Sequence, residues 1–272
     1  MTQDSSASGG KTQVLCCRYI YCIIPTTKKN NFGNIGINKN NVYAISYKDI
    51  SALVHNCCPE PYKGWDSGVI AWVVAHSNVV ETAWDLVGTV IPMSFDVIVA
   101  PANQKTADEN LTEWLQSKYD TLKLKLEEFR DKAELGIQVF WESRMLSLAI
   151  VKENEEINKL RQEMSTKTDG VAYFYRQKIE KILKHELERK ADEYYRKFLA
   201  HARKPVEDIY VAKVKKDGDR EMLMNIAVLI RKDRIKELGR ELGRIKRKKG
   251  FDVRFTGPWP PYSFVTSLSM AG

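Results

Sequence analysis

Apolar positions along this chain switch between a period of two and a period of three to four, and the switches divide it into elements. Gln13 to Pro25 carries Tyr19, Ile20, Tyr21, Ile23 and Ile24, the aromatic and β-branched mix of a strand. Thr26 to Asn41 is rich in Asn, Lys and Gly and reads as an exposed loop. Val42 to Ser46 and Ile50 to Cys57 predict two strands about a turn at Tyr47-Lys48-Asp49, and Pro59 to Gly64 predicts a further turn. Trp65 to Leu86 predicts a helix capped by Asp66 or Ser67. Val87 to Ala100 returns to strand composition, with Pro92 marking an edge or a bend. The order β-β-β-α-β suits a small α+β domain.

Next, Leu111, Leu115, Tyr119, Leu122, Leu126, Phe129 and Ala133 fall three or four apart and predict one amphipathic helix from Ala107 to Ala133. Glu134 to Ala149 is strand-like, Glu153 to Met164 is a short helix, and Ser165 to Gly170 is a turn. A long helix runs from Val171 to about His201, with Tyr175, Ile179, Ile182, Leu187, Ala191, Tyr194 and Phe198 at helical spacing. At 1.5 Å per residue it reaches about 45 Å, so part of it is expected to project or to pair with another helix. Strands Glu207 to Val214 and Met222 to Arg231 flank a polar turn at Asp217-Gly218; a basic helix, Asp233 to Lys249, and a strand, Phe251 to Phe255, follow. The fold class is α+β in two domains.

Composition narrows the class. The 272 residues are 43% hydrophobic and 29% charged, which suits a packed protein. The most apolar stretch, Val69 to Ala75, ends at His76-Ser77-Asn78, far short of the ~20 residues of a spanning helix. Met1 to Lys11 is polar, so the expectation is a cytoplasmic protein with no membrane partner. Five cysteines, Cys16, Cys17, Cys22, Cys57 and Cys58, read as reduced thiols, and His55-Asn56-Cys57-Cys58 lacks the second half of a zinc site. The net charge is +8, of which Arg231 to Lys249, with ten basic and three acidic residues, holds seven. That excess argues against an extreme halophile.

Candidate chemistry is sparse. The four histidines are scattered, and no nucleophile elbow, paired metal-ligand helix or phosphate loop is present. His76 near Asp85 or Glu81 lacks a nucleophile and reads as a packed histidine. The expectation is a protein without an active site, cofactor, metal or small-molecule substrate. Two segments invite partners. The basic helix between 231 and 249 offers a surface for nucleic acid phosphates, with a solvated helix face as the plainer reading, since no aromatic-interleaved RNA motif accompanies it. The C-terminal Gly257-Pro258-Trp259-Pro260-Pro261-Tyr262-Ser263-Phe264 predicts a stiff, polyproline-like path. Pro258, Trp259, Pro261, Tyr262 and Phe264 are there candidates for clamping a groove, on a partner or within the chain's own fold.

That tail closely resembles the C-terminal signature of the gas vesicle protein F/L family. Tyr19-Ile20-Tyr21-Cys22-Ile23 is similar to the family's opening strand, and His76 followed by Val90-Ile91-Pro92-Met93-Ser94-Phe95 to its His and Leu-Pro-x-Arg-Phe-Gly segment. Lys132-Ala133-Glu134-Leu135-Gly136-Ile137, Gly170-Val171-Ala172-Tyr173 and Asn225-Ile226-Ala227-Val228-Leu229 resemble further family segments in order. Ser94 and Asp96 stand where the family carries Arg and Gly, and the Asn-rich loop at 30 to 41 and the cysteine pairs look peculiar to this chain. The expected division is a disordered segment 1–12, a domain over 13–105, a second α+β domain with long helices over 106–256 and a tail over 257–272; that the 13–105 domain is ferredoxin-like is what the resemblance implies. It further implies a gas vesicle accessory or assembly protein, a minor wall component or assembly factor in the cytoplasm and at the vesicle. Its partners would be the hydrophobic main shell protein and other gas vesicle accessory proteins. A nucleic-acid-binding module using the basic helix is the alternative.

Overall fold

The computed structural model describes residues 16–60, 62, 67–214, 216–217 and 220–265. Of the predicted features, the segment 1–12, the helix start at Trp65-Asp66 and Gly218 of the polar turn lie outside them. The chain divides into two compact units, one running to Asp131 and resumed from Pro260 onward, the other spanning Lys132–Trp259. The boundary therefore falls at 131/132 and not at 105/106, because the stripe of the 107–133 segment packs into the first unit.

The first unit is built on β1 (Cys17–Pro25), a strand whose interior is almost wholly buried. It lies in an antiparallel sheet with β2 (Asn31–Gly33), β3 (Val42–Tyr47), β4 (Ile50–Cys57), β5 (Ile91–Pro92) and β6 (Ile98–Val99). The order is β2-β3-β4-β1-β5, with β6 also on β1. Helices α1 (Ser67–Val87), α2 (Ala107–Ser117) and α3 (Tyr119–Glu128) pack on β1, which explains why its apolar run is continuous instead of alternating. The Asn-rich loop is more ordered than its composition suggests. Phe32 and Ile37 are buried, the Ile37 N–H donates to the Tyr21 hydroxyl at 2.8 Å, and a Cβ on Gly36 would lie 2.6 Å from that hydroxyl. The predicted strand over 87–100 is two short strands, and the predicted 107–133 helix breaks at Lys118 (φ −106°, ψ 5°). There Ser117 Oγ bonds back to the Trp114 carbonyl, which competes with continuation of the ladder. The stripe itself holds: Leu111, Leu115, Leu122, Leu126 and Phe129 are buried. A capping box of Thr106 and Glu109 starts α2.

The second unit contains β7 (Lys132–Trp141), α4 (Ser143–Glu153), α5 (Glu155–Met164), α6 (Asp169–Arg203), β8 (Asp208–Val211), β9 (Lys216–Asp217), β10 (Arg220–Arg231), α7 (Ile235–Lys246) and β11 (Phe251–Trp259). Its main strands run β11-β7-β10-β8, all antiparallel, with β9 on β10. Taking these four strands in chain order, the sheet reads 4-1-3-2 with helices after the first and third. That is the β-α-β-β-α-β arrangement of a ferredoxin-like fold. The ferredoxin-like expectation for 13–105 is thus overturned: the first unit places four strands before its first helix, and the second unit carries the split β-α-β pattern. The predicted strand over 134–149 ends at Trp141 and continues as α4. Its Met145-Leu146-Ser147-Leu148-Ala149-Ile150-Val151 run is apolar at both periods, and only packing decides between them.

Leu135, Ile137, Val139 and Trp141 on β7 meet Met224, Ile226, Val228 and Ile230 on β10 and Leu238, Leu242 and Ile245 on α7 in one core. The 35-residue α6 reaches about 52 Å. The expected pairing is met, since α4, α5 and α7 all pack along it.

Candidate docking surfaces and the buried histidine network

The tail is the first predicted site. Strand β11 pairs with β7 from Phe251 opposite Trp141 to Thr256 opposite Gly136, then shifts register so that Trp259 faces Glu134. The shift passes through Gly257 at φ +107°, where a Cβ would lie 2.8 Å from the Glu134 carbonyl oxygen. The Gly257-Pro258 peptide is cis. Beyond Pro260 the chain forms a short 3₁₀ turn, Tyr262–Phe264. The polyproline-like path is therefore corrected: the segment is strand to Trp259 and a tight turn thereafter. An isolated polyproline path makes no ladder bonds, whereas strand pairing to β7 satisfies backbone groups.

The five tail candidates separate. Pro261 and Phe264 are buried, while Pro258, Trp259 (44% exposed) and Tyr262 (37%) face solvent. Phe264 is thus an anchor, whereas Trp259 and Tyr262 are exposed aromatics.

Beneath α1, the first unit holds a polar network that sequence reasoning reached only as "a packed histidine". The Tyr19 hydroxyl meets His76 Nδ1 at 2.8 Å, and His76 Nε2 meets the Met93 carbonyl oxygen at 3.1 Å. A carbonyl only accepts, so Nε2 carries the proton and Nδ1 accepts from Tyr19. Alongside, Tyr21, the extra residue of a β-bulge in β1, places its hydroxyl 2.8 Å from His55 Nδ1, and His55 Nε2 meets the Tyr62 hydroxyl at 2.9 Å. Both imidazoles are almost fully buried, and burial depresses each to a pKa of about 4. Both ring nitrogens of each are held by structural bonds, which leaves neither poised as a general base. Asp96, where the resemblance expects Gly, sits at φ +69° and accepts the Tyr62 N–H at 3.0 Å. Asp tolerates that left-handed conformation better than most residues.

The cysteine pairs, too, are brought together in a way spacing did not reveal: the β1–β4 register sets Cys17 opposite Cys57. Burial pushes the Cys57 thiol up to about 12, so it stays protonated. Among the described residues no group of three or more His, Cys, Asp or Glu side chains is arranged to hold a metal ion.

The basic helix α7 turns Leu238, Leu242 and Ile245 inward. Its charge is partly neutralised: Arg234 pairs with Glu237 at 3.1 Å and Arg244 with Glu241 at 2.8 Å, while Arg231 just before it pairs with Asp233 at 2.8 Å. His201 Nδ1 meets Glu241 at 2.9 Å, and that hydrogen bond, together with the nearby Arg244 and Lys204, holds the Glu241 carboxyl below its ordinary range. Lys248 lies over the Tyr194 ring at 4.3 Å. This is largely a solvated face closing a sheet.

A further surface was missed. Ile70 (68% exposed), Val73 and Val74 form an uncharged outward face on the first turns of α1. The apolar run at 69–75 was its signal, though length alone marked it only as too short to span a membrane. Among the described residues no helix is long and apolar enough to cross one.

Comparison with known proteins adds identity to this geometry. The chain is 26% identical to gas vesicle protein L of Haloferax mediterranei, over 92% of this chain and 88% of that protein. It is 28% identical to gas vesicle protein L1 of Halobacterium salinarum, over 92% and 91%. Its fold matches the crystal structure of gas vesicle protein GvpF from Anabaena with a TM-score of 0.75 at 18% identity, covering 92% of this chain and 98% of that one. The GvpF structure from Microcystis aeruginosa gives 0.67 at the same identity and coverage. The family profile described as gas vesicle synthesis protein GvpL/GvpF spans residues 17–266, and the chain belongs to that family.

Proposed function

We propose that the chain is a non-enzymatic accessory protein of gas vesicle formation that binds the hydrophobic main shell protein and assists nucleation or growth of the wall. The observation that carries the reading is the family match over residues 17–266. Physical chemistry supports the finer step. Shell subunits that expose apolar surface before assembly need shielding. Exposed Trp259, held at the end of β11, and exposed Tyr262, two residues before buried Phe264, are both aromatics suited to that contact.

Deleting the tail is a poor test, since Trp259 pairs with Glu134 and Phe264 is buried. The better experiment is co-purification of the full chain with the main shell protein, beside a Trp259→Ala/Tyr262→Ala variant and an Ile70→Ser/Val74→Ser variant. The intact chain is expected to retain shell protein. The tail variant is expected to lose affinity about tenfold or more, the scale of a truncated aromatic hot spot. Loss in the α1 variant alone would move the interface to α1, and no retention by the intact chain at low salt would sink shell binding.

A further inference from the structure

The exposed face of α6 is complementary to itself. Phe174 and Asp192 lie eighteen residues apart, about five full turns, and so project from the same side of the helix. Between them on that side stand Lys178 and Lys181, then His185, then Glu188. The stripe is therefore apolar and basic in its N-terminal half and acidic in its C-terminal half. All of these residues are exposed, Phe174 at 71%.

Each end of the stripe has a feature that calls for a partner. At the N-terminal end, Phe174 makes an edge-to-face contact with Tyr173, and the two aromatics stand mostly in solvent. At the C-terminal end, Asp192 borders an open groove of about 610 Å³ lined mainly by Trp141, Tyr195, Val214, Met222 and Leu223. The groove is apolar and aromatic, with two carboxylates at its edge. Glu221 accepts the Trp141 indole N–H at 3.1 Å, and Asp192 has no ion-pair partner among the described residues. In a chain of net charge +8, the charged groups lining this groove are both acidic among the described residues.

We propose that a second copy of this chain docks antiparallel along α6 through these features. A two-fold axis at the level of residue 183 sets residue 174 opposite 192, 178 opposite 188 and 181 opposite 185. Phe174 of each copy then enters the other's Trp141–Tyr195 groove, and Lys178 of each meets Glu188 of the other. The contact is isologous, so each pairing occurs twice and the assembly closes at two. Within one chain Lys178 lies 3.7 Å from Glu156 at an exposed position, a weak pair that does not prevent the new one. The charge order sets the direction: a parallel pairing would oppose Lys to Lys and Glu to Glu.

The test is the mass of the full-length protein in solution by light scattering and sedimentation, from about 1 to about 200 μM, a range that spans micromolar association. The intact chain is expected to dimerise. Phe174→Asp is expected to weaken this about a hundredfold, by placing a charge in an apolar groove. Lys178→Glu and Glu188→Lys alone are each expected to weaken it about tenfold, and the two combined to restore it, because the cross-dimer pairs are re-formed with reversed signs. Phe174, Lys178 and Glu188 are exposed, so at concentrations low enough for the parent to be monomeric the variants should keep its thermal unfolding temperature. A monomer across the whole range would overturn the proposal. So would a dimer indifferent to Phe174→Asp, or one whose single charge reversals are not rescued by the pair.

Discussion

Lowering the pH from 7 to 4 is expected to unfold the first unit, and the two buried histidines are the main cause. In the folded chain His55 and His76 have pKa values of about 4, against 6.5 for an exposed imidazole. Between those values the unfolded chain binds more protons than the native one, so stability falls as pH falls. The contribution is complete above pH 6.5 and is lost on the way down to about pH 4. A shift of this size corresponds to about 3 kcal/mol for each histidine. Two such terms approach the whole net stability of a typical domain, about 5–15 kcal/mol. The surroundings do little to accept a charge. His76 is enclosed by the Tyr19 hydroxyl, the Met93 carbonyl and the Phe95 ring, and His55 by the Tyr21 and Tyr62 hydroxyls. The Met93 carbonyl is the one group that favours the imidazolium, and burial outweighs it. Urea unfolding between pH 7 and pH 4 checks this, beside a His55→Gln/His76→Gln variant that keeps hydrogen-bonding capacity but cannot titrate. The parent should lose several kcal/mol more than the variant over that interval. Equal losses would assign acid sensitivity to other groups.

Gly257→Ala is expected to destabilise the second unit by about 2–5 kcal/mol, through backbone strain and a steric clash together. The φ of +107° is strained for any L side chain, and an added Cβ would meet the Glu134 carbonyl oxygen at 2.8 Å and Leu135 Cδ2 at 2.9 Å. Neither can yield easily, since one is backbone in the central strand β7 and the other belongs to the core. Gly88→Ala is the control: its φ is +79° but nothing lies within 4 Å of the added Cβ. That change should cost about 1 kcal/mol from conformation alone. Thermal unfolding should separate the two by roughly 5–10 °C, at a few degrees per kcal/mol for a chain of this size. If the two variants melt together, the close approach at Gly257 is not what that glycine serves.

The tail shows how far a local pattern carries. Three prolines in four residues predict an extended stiff segment, and extension is what β11 delivers up to Trp259. Which neighbour it pairs with is not a local property. Gly136 on β7 leaves room for Thr256, whose Oγ1 would lie 2.5 Å from a Cβ there, and the two residues are 120 positions apart. The same holds for the histidines. Sequence alone marks His76 as lacking a nucleophile, but its partners Tyr19 and Met93 come from a strand and a loop distant in the chain.

Taken alone, the amino-acid pattern determined which segments are helix or strand where composition or one period dominates: β1 and β4 by their aromatic and β-branched content, and the stripe of α2 and α3, α6, and α7 with its inward leucines by helical spacing. It determined the family too, because the tail and the strand motifs occur along the chain in the family's order. Tertiary structure decided where ambiguous apolar runs end, as at Trp141, since strand and helix bury such a run equally well. It decided that the ferredoxin-like sheet belongs to the second unit, because strand order depends on pairing across long loops. It also decided which tail aromatics face out and which face of α6 is left exposed. Burial and surface complementarity are properties of elements brought together, and no single stretch of sequence contains them.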